Sequence, residues 1–428
     1  MAPTDPSAGV PGPDPMAAIG GLDSARREGP TEGPRNAGMR VLVGGTGMVR
    51  LPAPTGGAIE AYIHDILGMF APPGPEPGPW SVTAASDWAP GYEFAGQCRP
   101  VHSPIDRYPL PPYLSALAHS VGGVLTAVAL VREMRRHRPD VLHLNEELSI
   151  YLCQRLSVPK VLTVHSPAEF LLHLAEREVP SHGRGRTDGA VNSLLRRLDW
   201  SVVRDALSSY DGVIVLTSFA QEMLRRLGTE STLIPLPVDT DRFSPRTDGS
   251  AGSARTVLFV GRLERRKNPT ILVPALARLP EDVRLVLIGR GPEEPAIRAM
   301  ARRLGVQRRV SIVPECSPSE LAQWYQTSRV LALPSYLEAY GKVVSEALAS
   351  GLPVVVARSH AFDDLTRAHV ATTFQTADEC TAVLETLLAE DGERARRSAR
   401  SREFAVTHLS YAAVRQRLAG VYRSAVGA

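Results

Sequence analysis

Residues 330–357 read VLALPSYLEAYGKVVSEALASGLPVVVA. Two continuous apolar runs, Val330–Ala332 and Val354–Val356, flank a polar loop and a helical pattern that begins near Lys342. Continuous rather than alternating apolar residues predict strands that are covered on both faces, as in a parallel sheet. The stretch therefore predicts one strand–loop–helix–strand unit of a doubly wound α/β domain.

The same alternation of apolar strands and helical patterns extends outward from this unit over most of the chain. A polar, turn-rich stretch at Asp239–Ala254 divides it into two series. Two doubly wound domains in tandem enclose a cleft, and ligands bind at the carboxyl ends of their strands. The predicted strands are Arg40–Val43, Val141–Leu144, Lys160–Val164 and Gly212–Leu216 in the first series and Thr256–Val260, Leu285–Ile288, Val310–Val313, Val330–Ala332 and Val354–Val356 in the second.

Four segments are predicted along the chain. Residues 1–38 hold seven prolines and seven glycines without periodicity, a composition that predicts disorder. Residues 39–245 and 246–408 are expected to form the two Rossmann-like domains. Residues 409–428 carry a last helical pattern, which we expect to cross back and pack on the first domain.

The composition excludes several classes of protein. With 428 residues, 43% of them apolar, the chain can bury two cores. Its net charge of +3 lacks the basic excess of a nucleic-acid-binding protein. No apolar run of about 18 residues predicts a membrane span, and the N-terminus lacks the pattern of a secretory signal. The scattered cysteines, which suit a reducing cytoplasm, are Cys98, Cys153, Cys316 and Cys380.

Lysine is rare in this chain. Of its 48 basic residues, only Lys160, Lys267 and Lys342 are lysines. This skew, with abundant alanine, glycine and proline, is typical of GC-rich genomes such as those of actinobacteria. Because arginine and lysine are not interchangeable at a binding site, each retained lysine indicates a position that needs an ammonium group. Two of the three lie in the loops considered next.

Two glutamates stand out in the first of these loops. Glu338 lies in the loop itself, and Glu346 lies about one turn into the following helix. Gly341 permits close backbone approach, and the amides at the helix start can receive phosphate or sugar oxygens. Glutamates near a helix start can equally serve the helix dipole alone, so their spacing by itself assigns no function.

The whole stretch resembles the E-x7-E region of retaining GT-B-fold glycosyltransferases of family 4, including its closing Ala-x-Gly-x-Pro-Val-Val. The resemblance extends over residues 39–428 and is densest over 255–357. It implies that Glu338 contacts hydroxyls of the donor sugar and that Glu346 binds the nucleotide ribose. It also assigns donor binding to the residues that lie between them, Tyr340, Gly341, Lys342 and Val343.

A second loop, residues 261–269, follows a predicted strand and reads GRLERRKNP. It resembles the G-R-x-x-x-x-K-[GN] loop of the same family. The resemblance implies that Gly261 approaches the donor and that Arg262 and Lys267 stabilise charge on the leaving diphosphate. A solvated charged loop is the alternative interpretation.

A third strand end, residues 289–292, reads GRGP and resembles the G-x-G-P segment that lies near the nucleotide in this family. The resemblance implies that Arg290 reaches the nucleotide. It also implies that Val313, at the end of the next strand, lies against the base. A turn with two glycines needs no ligand, so both interpretations of this segment stay open.

The first half supplies the other wall of the cleft. Gly56 and Gly57 resemble the family's glycine loop, whose amides approach the donor phosphate and the acceptor; a plain turn before a helix is the alternative. His165 matches the position that lines the donor sugar and the reaction centre. We interpret His143 as a strand-end residue satisfied by its neighbours. Asn145 replaces the second histidine of the usual pair, which leaves its role open.

The resemblance implies a cytoplasmic hexosyltransferase that needs no metal and no bound cofactor. Its donor would be a nucleotide sugar, UDP-linked, and its acceptor a hydroxyl group of a small molecule. Glu146, Glu147 and Glu169 suit a cationic aminocyclitol of secondary or antibiotic metabolism, although solvated helix-start glutamates explain them equally well. A lipid-linked saccharide at the membrane surface is the alternative acceptor, which the arginines of Leu117–Arg138 would favour; membrane binding is not required.

Other functions compete with this interpretation. The glycines of residues 44–49 resemble a dinucleotide loop, but Arg50 stands where a dehydrogenase needs glycine or alanine. Asp239 and Asp241 fit the D-x-D pattern of a metal-dependent transferase, yet they lie in the hinge segment. A nucleotide-sugar epimerase is disfavoured by the framed E-x7-E region. A non-catalytic nucleotide-sugar-binding protein is disfavoured by the intact basic loop.

Overall fold

In the computed structural model the chain folds into two parallel sheets with helices packed against them. The structure describes residues 38–44, 58–71, 80–86, 98–100, 130–136, 138–145, 153, 156–165, 205–246 and 255–427. The disorder predicted for residues 1–38 concerns a segment of which only residue 38 is described.

The first sheet has seven strands in the order β3-β2-β1-β4-β5-β6-β7. Its strands are β1 (Met39–Gly44), β2 (Trp80–Ser86), β3 (Cys98–Pro100), β4 (Val141–Leu144), β5 (Lys160–Val164), β6 (Gly212–Val215) and β7 (Thr232–Leu233). Val41 of β1 is aligned with Val82 of β2 on one side and with Val141 of β4 on the other. Because the strand order reverses between β1 and β4, a crevice forms at their carboxyl ends.

The second sheet has six strands in the order β10-β9-β8-β11-β12-β13. They are β8 (Thr256–Val260), β9 (Arg284–Ile288), β10 (Val310–Val313), β11 (Val330–Leu333), β12 (Val354–Ala357) and β13 (Ala371–Phe374). All residues of β8, β11 and β12 are buried, as their continuous apolar runs predict. Here the order reverses between β8 and β11, which places the second crevice beside both donor-like loops.

Helices cover the faces of both sheets. The α-helices described over their whole length are α1 (Ala58–Phe70), α2 (Ser218–Arg226), α3 (Leu272–Arg278), α4 (Glu294–Arg303), α5 (Pro318–Thr327), α6 (Lys342–Ala349), α7 (Asp363–Arg367), α8 (Ala377–Ala389), α9 (Asp391–Phe404) and α10 (Tyr411–Gly427). Short 3-10 turns lie at Arg265–Lys267, Pro269–Ile271, Gln307–Arg309 and His360–Phe362. None of the described helices is long and apolar enough to span a bilayer.

The last helix returns to the first sheet, as the sequence predicts. After α9, a π-helical turn at Ala405–Leu409 leads to Ser410, which forms an isolated β-bridge with Val238. Helix α10 then buries Val414, Leu418 and Tyr422 in the apolar cluster of the first sheet and α1. Val238 itself belongs to the core of the second sheet. The two tandem doubly wound units with a crossing C-terminal helix are therefore confirmed.

Four strands have no counterpart among the predicted ones. β3 and β7 have three and two residues, which is too short for a hydrophobic pattern. β2 and β13 contain small and hydroxylated residues, WSVTAAS and ATTF, in place of long apolar runs. Of the helices predicted near Leu117–Arg136 and Leu194–Ser208, the structure describes only residues 130–136 and 205–208, both helical.

Candidate functional site

The loop after β8 carries the first group of predicted site residues. Gly261 ends the strand with φ 151°, and its N–H donates to the carbonyl of Ile288 at 2.9 Å. Lys267 lies in the 3-10 turn that follows, which Asn268 ends in the left-handed conformation with φ 48°. This left-handed residue ends the turn directly after the lysine, and a second 3-10 turn begins at Pro269.

The loop after β11 carries the second group. Gly341, with φ 84°, is the N-cap of α6, and a Cβ there would lie 2.9 Å from the ring of Phe362. Glycine is therefore required for both its backbone angle and its packing. The two loops are tied together because the N–H of Tyr336 donates to the carbonyl of Arg266 at 2.9 Å.

Lys267 and Glu338 meet between these loops. Their side chains form an ion pair and hydrogen bond although 71 residues separate them in sequence. The side chains are only 15% and 10% exposed, so the pair is screened less than a surface salt bridge. The structure thus brings together two residues that the resemblance assigns to different parts of the donor, Lys267 to the diphosphate and Glu338 to the sugar hydroxyls.

Arg262 stands apart from this pair. Its side chain is 68% exposed, and its Nε lies 3.7 Å from an oxygen of Glu264. A guanidinium in such a loose contact can turn toward an anion at little energetic cost. The structure places Arg262 in the same loop as Lys267 but not in contact with Glu338.

Glu346 lies one turn into α6 and does not meet Glu338. It accepts a hydrogen bond of 2.9 Å from the hydroxyl of Tyr325 on α5. Loss of hydration raises the pKa of the Glu346 carboxyl, and the charge of Lys342 opposes that shift. Val343, its neighbour on α6, packs partly against the core of the second sheet.

The strand end at residues 289–292 has a structural explanation. A Cβ on Gly289 would lie 2.0 Å from the carbonyl oxygen of Gly261, and one on Gly291 would lie 2.2 Å from that of Leu263. Both glycines are therefore needed for close packing of two strand-end loops, whatever else binds there. The side chain of Arg290 is 71% exposed and reaches only Glu315, at 3.4 Å. The backbone carbonyl of Val313 accepts a hydrogen bond from the N–H of Gly289 at 2.8 Å.

His165 lies across the cleft at the end of β5. Its Nε2 is 3.0 Å from Oδ1 of Asn145, and its ring makes an edge contact with Tyr62 of α1 at 5.0 Å between centroids. Burial lowers the pKa of His165 to about 3, because the charged imidazole would lose its hydration. The ring is therefore neutral over the physiological pH range.

His143 is fully buried, and both of its ring nitrogens are hydrogen-bonded. Nδ1 lies 2.7 Å from the hydroxyl of Tyr422, and Nε2 lies 2.7 Å from Oγ1 of Thr163. Burial, and to a smaller extent the neighbouring His165, lower its pKa to about 3. The interpretation of His143 as a strand-end residue satisfied by its neighbours is confirmed.

Contacts between the two halves place these groups around one cleft. Lys342, at the start of α6, forms an ion pair of 2.5 Å with Asp65 of α1, and the second oxygen of Asp65 accepts from the hydroxyl of Tyr411 at 2.7 Å. Asp65 lies one turn after Tyr62, the residue that contacts His165. Helix α1 therefore contacts the start of α6 through Asp65 and His165 through Tyr62. Gly56 and Gly57 of the predicted glycine loop lie outside the described residues.

Tyr340 also bridges the halves. Its side chain packs against the apolar cluster of the first sheet, and its hydroxyl lies 3.5 Å from the carbonyl oxygen of Leu236. The hydroxyl of Ser345 donates to that of Tyr340 at 3.2 Å. The side chain of Tyr340 therefore serves the junction between the halves, which leaves only its backbone for a donor.

Comparison with known proteins agrees with this geometry. The glycosyl transferases group 1 model matches residues 241–404, and the Glycosyltransferase Family 4 model matches residues 80–242. The chain is 30% identical over 390 residues to the D-inositol 3-phosphate glycosyltransferase of Xylanimonas cellulosilytica, an alignment that covers 81% of this chain and 87% of that protein.

The chain is a GT-B glycosyltransferase.

Two solved structures share the fold of this glycosyltransferase. Sucrose-phosphate synthase from Thermosynechococcus elongatus superposes with a TM-score of 0.71 at 22% identity, over 90% of this chain and 98% of that one. HepE from Anabaena, solved in complex with UDP, superposes with a TM-score of 0.63 at 16% identity, over 90% and 100% of the two chains. At these identities the likeness establishes the architecture alone.

The D-x-D pattern of the glycosyltransferase serves a turn. Oδ1 of Asp239 accepts from the backbone N–H groups of Asp241 and Arg242 at 3.2 and 3.0 Å, and its other oxygen faces the Arg242 side chain at 3.6 Å. Across the described ranges, no three His, Cys, Asp or Glu side chains are grouped as a metal site would require. The interpretation of this D-x-D pattern as a coincidence agrees with the use of Asp239 as a local cap of the turn.

Sequence reasoning missed Asp65. It stands in the apolar pattern of α1, AIEAYIHDILGMF, with no motif around it. The available hint was its place among the apolar residues of an amphipathic helix, since a carboxylate buried at such a position, here to 6% exposure, needs a cationic partner. The sequence offered no means of knowing that this partner is Lys342.

Proposed function

We propose that this glycosyltransferase moves a hexose-type sugar from a UDP-sugar to a hydroxyl group of a cyclitol phosphate, with retention of anomeric configuration and without a metal ion. The contact between Lys267 and Glu338 carries the proposal. In a nucleotide sugar the diphosphate is bonded to the anomeric carbon of the sugar. Lys267 offers a cation for the diphosphate, and Glu338 beside it offers a carboxylate for the sugar hydroxyls.

Departure of the diphosphate is the step in which most charge develops. Lys267 would stabilise that charge from its fixed turn, and the exposed Arg262 would swing in as the second cation. Charge stabilisation by these two side chains supports a reaction that needs no divalent ion. Arg290, exposed at the neighbouring strand end, would extend the basic surface toward the nucleotide.

Retention of configuration, which the family resemblance implies, can proceed by a double displacement or by a front-face transfer, and the carboxylates near the cleft favour the second route. A double displacement would need one carboxylate as the nucleophile and a second as the acid. In the described part of the cleft, Glu338 and Asp65 are each paired with a lysine, and Glu346 lies beneath Tyr325. A front-face transfer fits better, in which the leaving phosphate accepts the proton of the attacking hydroxyl.

The nucleotide would lie along α6 and the strand ends of β9 and β10. Glu346 would bind the ribose, and the amides at Gly341, Lys342 and Val343 would receive phosphate oxygens. Val313 lies beside Trp324 and Glu315 in a shallow depression that would accept the base. The choice of uridine is supported by the fold shared with HepE, which was solved with UDP.

The choice of acceptor rests on the relatives. Several of them are D-inositol 3-phosphate glycosyltransferases at 30–32% identity, which favours a cyclitol phosphate over the aminocyclitol that the loop glutamates suggested. Glu146, Glu147 and Glu169, on which the cationic alternative depends, lie outside the described residues. The two candidate acceptors, an anionic cyclitol phosphate and a cationic aminocyclitol, therefore differ in the sign of their charge, and a test with both distinguishes them directly.

The test is a mass-spectrometric screen of the purified enzyme with EDTA present. UDP-glucose, UDP-galactose and UDP-N-acetylglucosamine are each offered with inositol 3-phosphate, inositol, an aminocyclitol and a lipid-linked saccharide. We expect transfer to inositol 3-phosphate, with an α-linked product by NMR. Transfer only to the aminocyclitol or the lipid would refute the acceptor, and a β-linked product would refute retention.

The same screen separates the remaining functions. Activity that EDTA abolishes and Mg²⁺ or Mn²⁺ restores would refute metal independence. Conversion of one UDP-sugar into another without any acceptor would indicate an epimerase. Binding of the donor without turnover of any kind would indicate a non-catalytic nucleotide-sugar-binding protein.

A further inference from the structure

Three strand ends of the first sheet meet at Asn145. The residue follows β4, next to β5 with His165 at its end, and next to β1, which ends at Gly44. Asn145 is 3% exposed and His165 is 8% exposed. An amide buried this deeply must have its donors and acceptor matched by neighbours.

The orientation of the Asn145 amide is set by a backbone carbonyl. Its Nδ2 donates to the carbonyl oxygen of Gly44 at 3.2 Å, and its Oδ1 faces Nε2 of His165 at 3.0 Å. Reversing the amide would set two acceptor oxygens against each other at Gly44, at the cost of a buried hydrogen bond. Oδ1 therefore stays toward the histidine.

An oxygen acceptor leaves the histidine one choice. Because Oδ1 cannot donate, Nε2 of His165 must carry the hydrogen of this contact. A neutral imidazole has one N–H, so Nδ1 is then the acceptor atom of the ring. We propose that Asn145 is a positioning residue that holds His165 in the Nε2–H tautomer, so that Nδ1 can accept a hydrogen bond from a hydroxyl of the donor sugar.

The surroundings maintain this state. Tyr62 holds the ring of His165 by an edge contact at an interplanar angle of 71°. The neighbouring His143 is neutral because burial holds its pKa at about 3. With Tyr62 and His143 uncharged, the described neighbours supply no charge that would favour the protonated imidazolium.

This inference rests on the proposed function, because it places His165 beside the donor sugar. The tautomer, however, is measured without turnover. In the full chain labelled with ¹⁵N-histidine, His165 is assigned by comparison with His165→Gln, and its two ring nitrogens report which of them carries the hydrogen. We expect a single Nε2–H tautomer in the wild type, and a single Nδ1–H tautomer or an even mixture would overturn the proposal.

Variants of Asn145 test its part in that state. Asn145→Ala should give a mixture of tautomers and lower kcat about 2–10-fold, the loss expected for one hydrogen bond. Asn145→Asp keeps an oxygen toward His165 and should retain the Nε2–H tautomer, whereas its second oxygen would face the Gly44 carbonyl and should lower stability. Its new charge should also raise the pKa of His165 by roughly one to three units, which adds an acid limb to the kcat profile.

A control separates a specific effect from general loosening. Gln221→Ala removes another side-chain amide, one that donates to the carbonyl of Ser231 at 2.8 Å, and should leave the His165 signals and kcat unchanged. If Asn145→Ala keeps a pure Nε2–H tautomer, the positioning role is refuted. If the wild-type tautomer is as expected but no sugar transfer occurs with any donor, the proposed function fails while the tautomer assignment stands.

Discussion

Two lysine–carboxylate pairs lie beside the cleft, and they join different parts of the molecule. Lys267 and Glu338 link two loops of the second sheet. Lys342 and Asp65 link the start of α6 to α1, and so connect the second half of the chain to the first across 277 residues. In both pairs the two side chains are less than 20% exposed.

The comparison separates chemistry from geometry. Both members of the first pair lie in motifs that sequence alone connects with a sugar donor, so breaking that pair should change the reaction. The second pair joins a predicted donor residue to a carboxylate without any motif. Its loss should alter how the halves are held together, while the groups that face the diphosphate and the sugar remain.

The largest effect is expected from Lys267→Ala. Removal of one charge-stabilising donor slows catalysis by about 10²–10³-fold, and it also leaves Glu338, which is only 10% exposed, without its counter-charge, so the melting temperature should fall as well. Measurement of kcat and of the melting temperature would distinguish the two. The matched control is Arg266→Ala, which removes the adjacent cation, paired with Glu264 at 2.6 Å, and should keep near-normal turnover. Near-normal turnover of Lys267→Ala would break the assignment of the first pair.

Glu338→Gln should have the next largest effect. The amide keeps the shape of the side chain but loses the charge that accepts strong hydrogen bonds from sugar hydroxyls. A charged hydrogen bond is worth about 1.5–3 kcal/mol, so kcat/KM should fall roughly 10–10²-fold in a folded enzyme. A collapse in melting temperature, with activity per folded molecule unchanged, would show that the pair with Lys267 is only structural.

Asp65→Asn should have a smaller effect, mainly on KM. The amide can still accept from Tyr411, but it leaves the Lys342 ammonium without its counter-charge, so we expect a rise of several-fold in the KM for the donor with a modest loss in kcat. The control is Asp140→Asn, which breaks the pair with Arg40 at 2.9 Å at the amino end of the first sheet. Equal kinetic changes in both variants would show that the second pair has no particular part in holding the halves together.

The smallest effect at neutral pH is expected from the buried histidines of the first sheet, which carry no charge of their own. The folded pKa of His165 and of His143 is about 3, below the usual value of about 6.5. The unfolded chain therefore binds more protons, and stability falls as the pH drops below about 6.5, by up to about 1.4 kcal/mol per unit for each histidine. Above that pH they contribute no slope.

Urea unfolding at pH 7.5, 6.5 and 5.5 would measure this slope. His165→Gln removes one of the two titrations, so its stability should fall less steeply with acid than that of the wild type, whatever its absolute value. Parallel pH profiles for the two proteins would contradict the lowered pKa of His165. His165 would then not be the neutral counterpart of the two charged pairs.

The fold could be predicted to a large extent from the sequence because its central strands are fully buried. Three buried central runs, at Val141–Leu144, Lys160–Val164 and Thr256–Val260, have the predicted bounds, as does the partly exposed edge strand Val310–Val313. The edge strands β3 and β7 depend on hydrogen bonds to a neighbour already in place, and two or three residues carry too little pattern for prediction.

The donor half of the site could also be predicted, because its residues stand in short loops whose spacing is fixed by the strands on either side. The sequence itself determined that Arg262, Lys267 and Glu338 lie in strand-end loops and that Glu346 lies in the helix that follows. Their roles toward a donor stay predictions. The packing role of the two glycines of residues 289–292 is visible only in the structure, where backbone oxygens leave no room for a Cβ.

Tertiary structure alone decided which groups became partners. Lys267 could have been exposed to solvent, and Lys342 could have been free to face a phosphate. Asn145 could have taken the role of the histidine that the family usually has at this position. Each instead has a partner between 20 and 277 residues away. A sequence specifies local patterns through spacings of a few residues, whereas these contacts arise when two sheets and a returning helix close around one cleft, and burial then forces each polar group to find its complement.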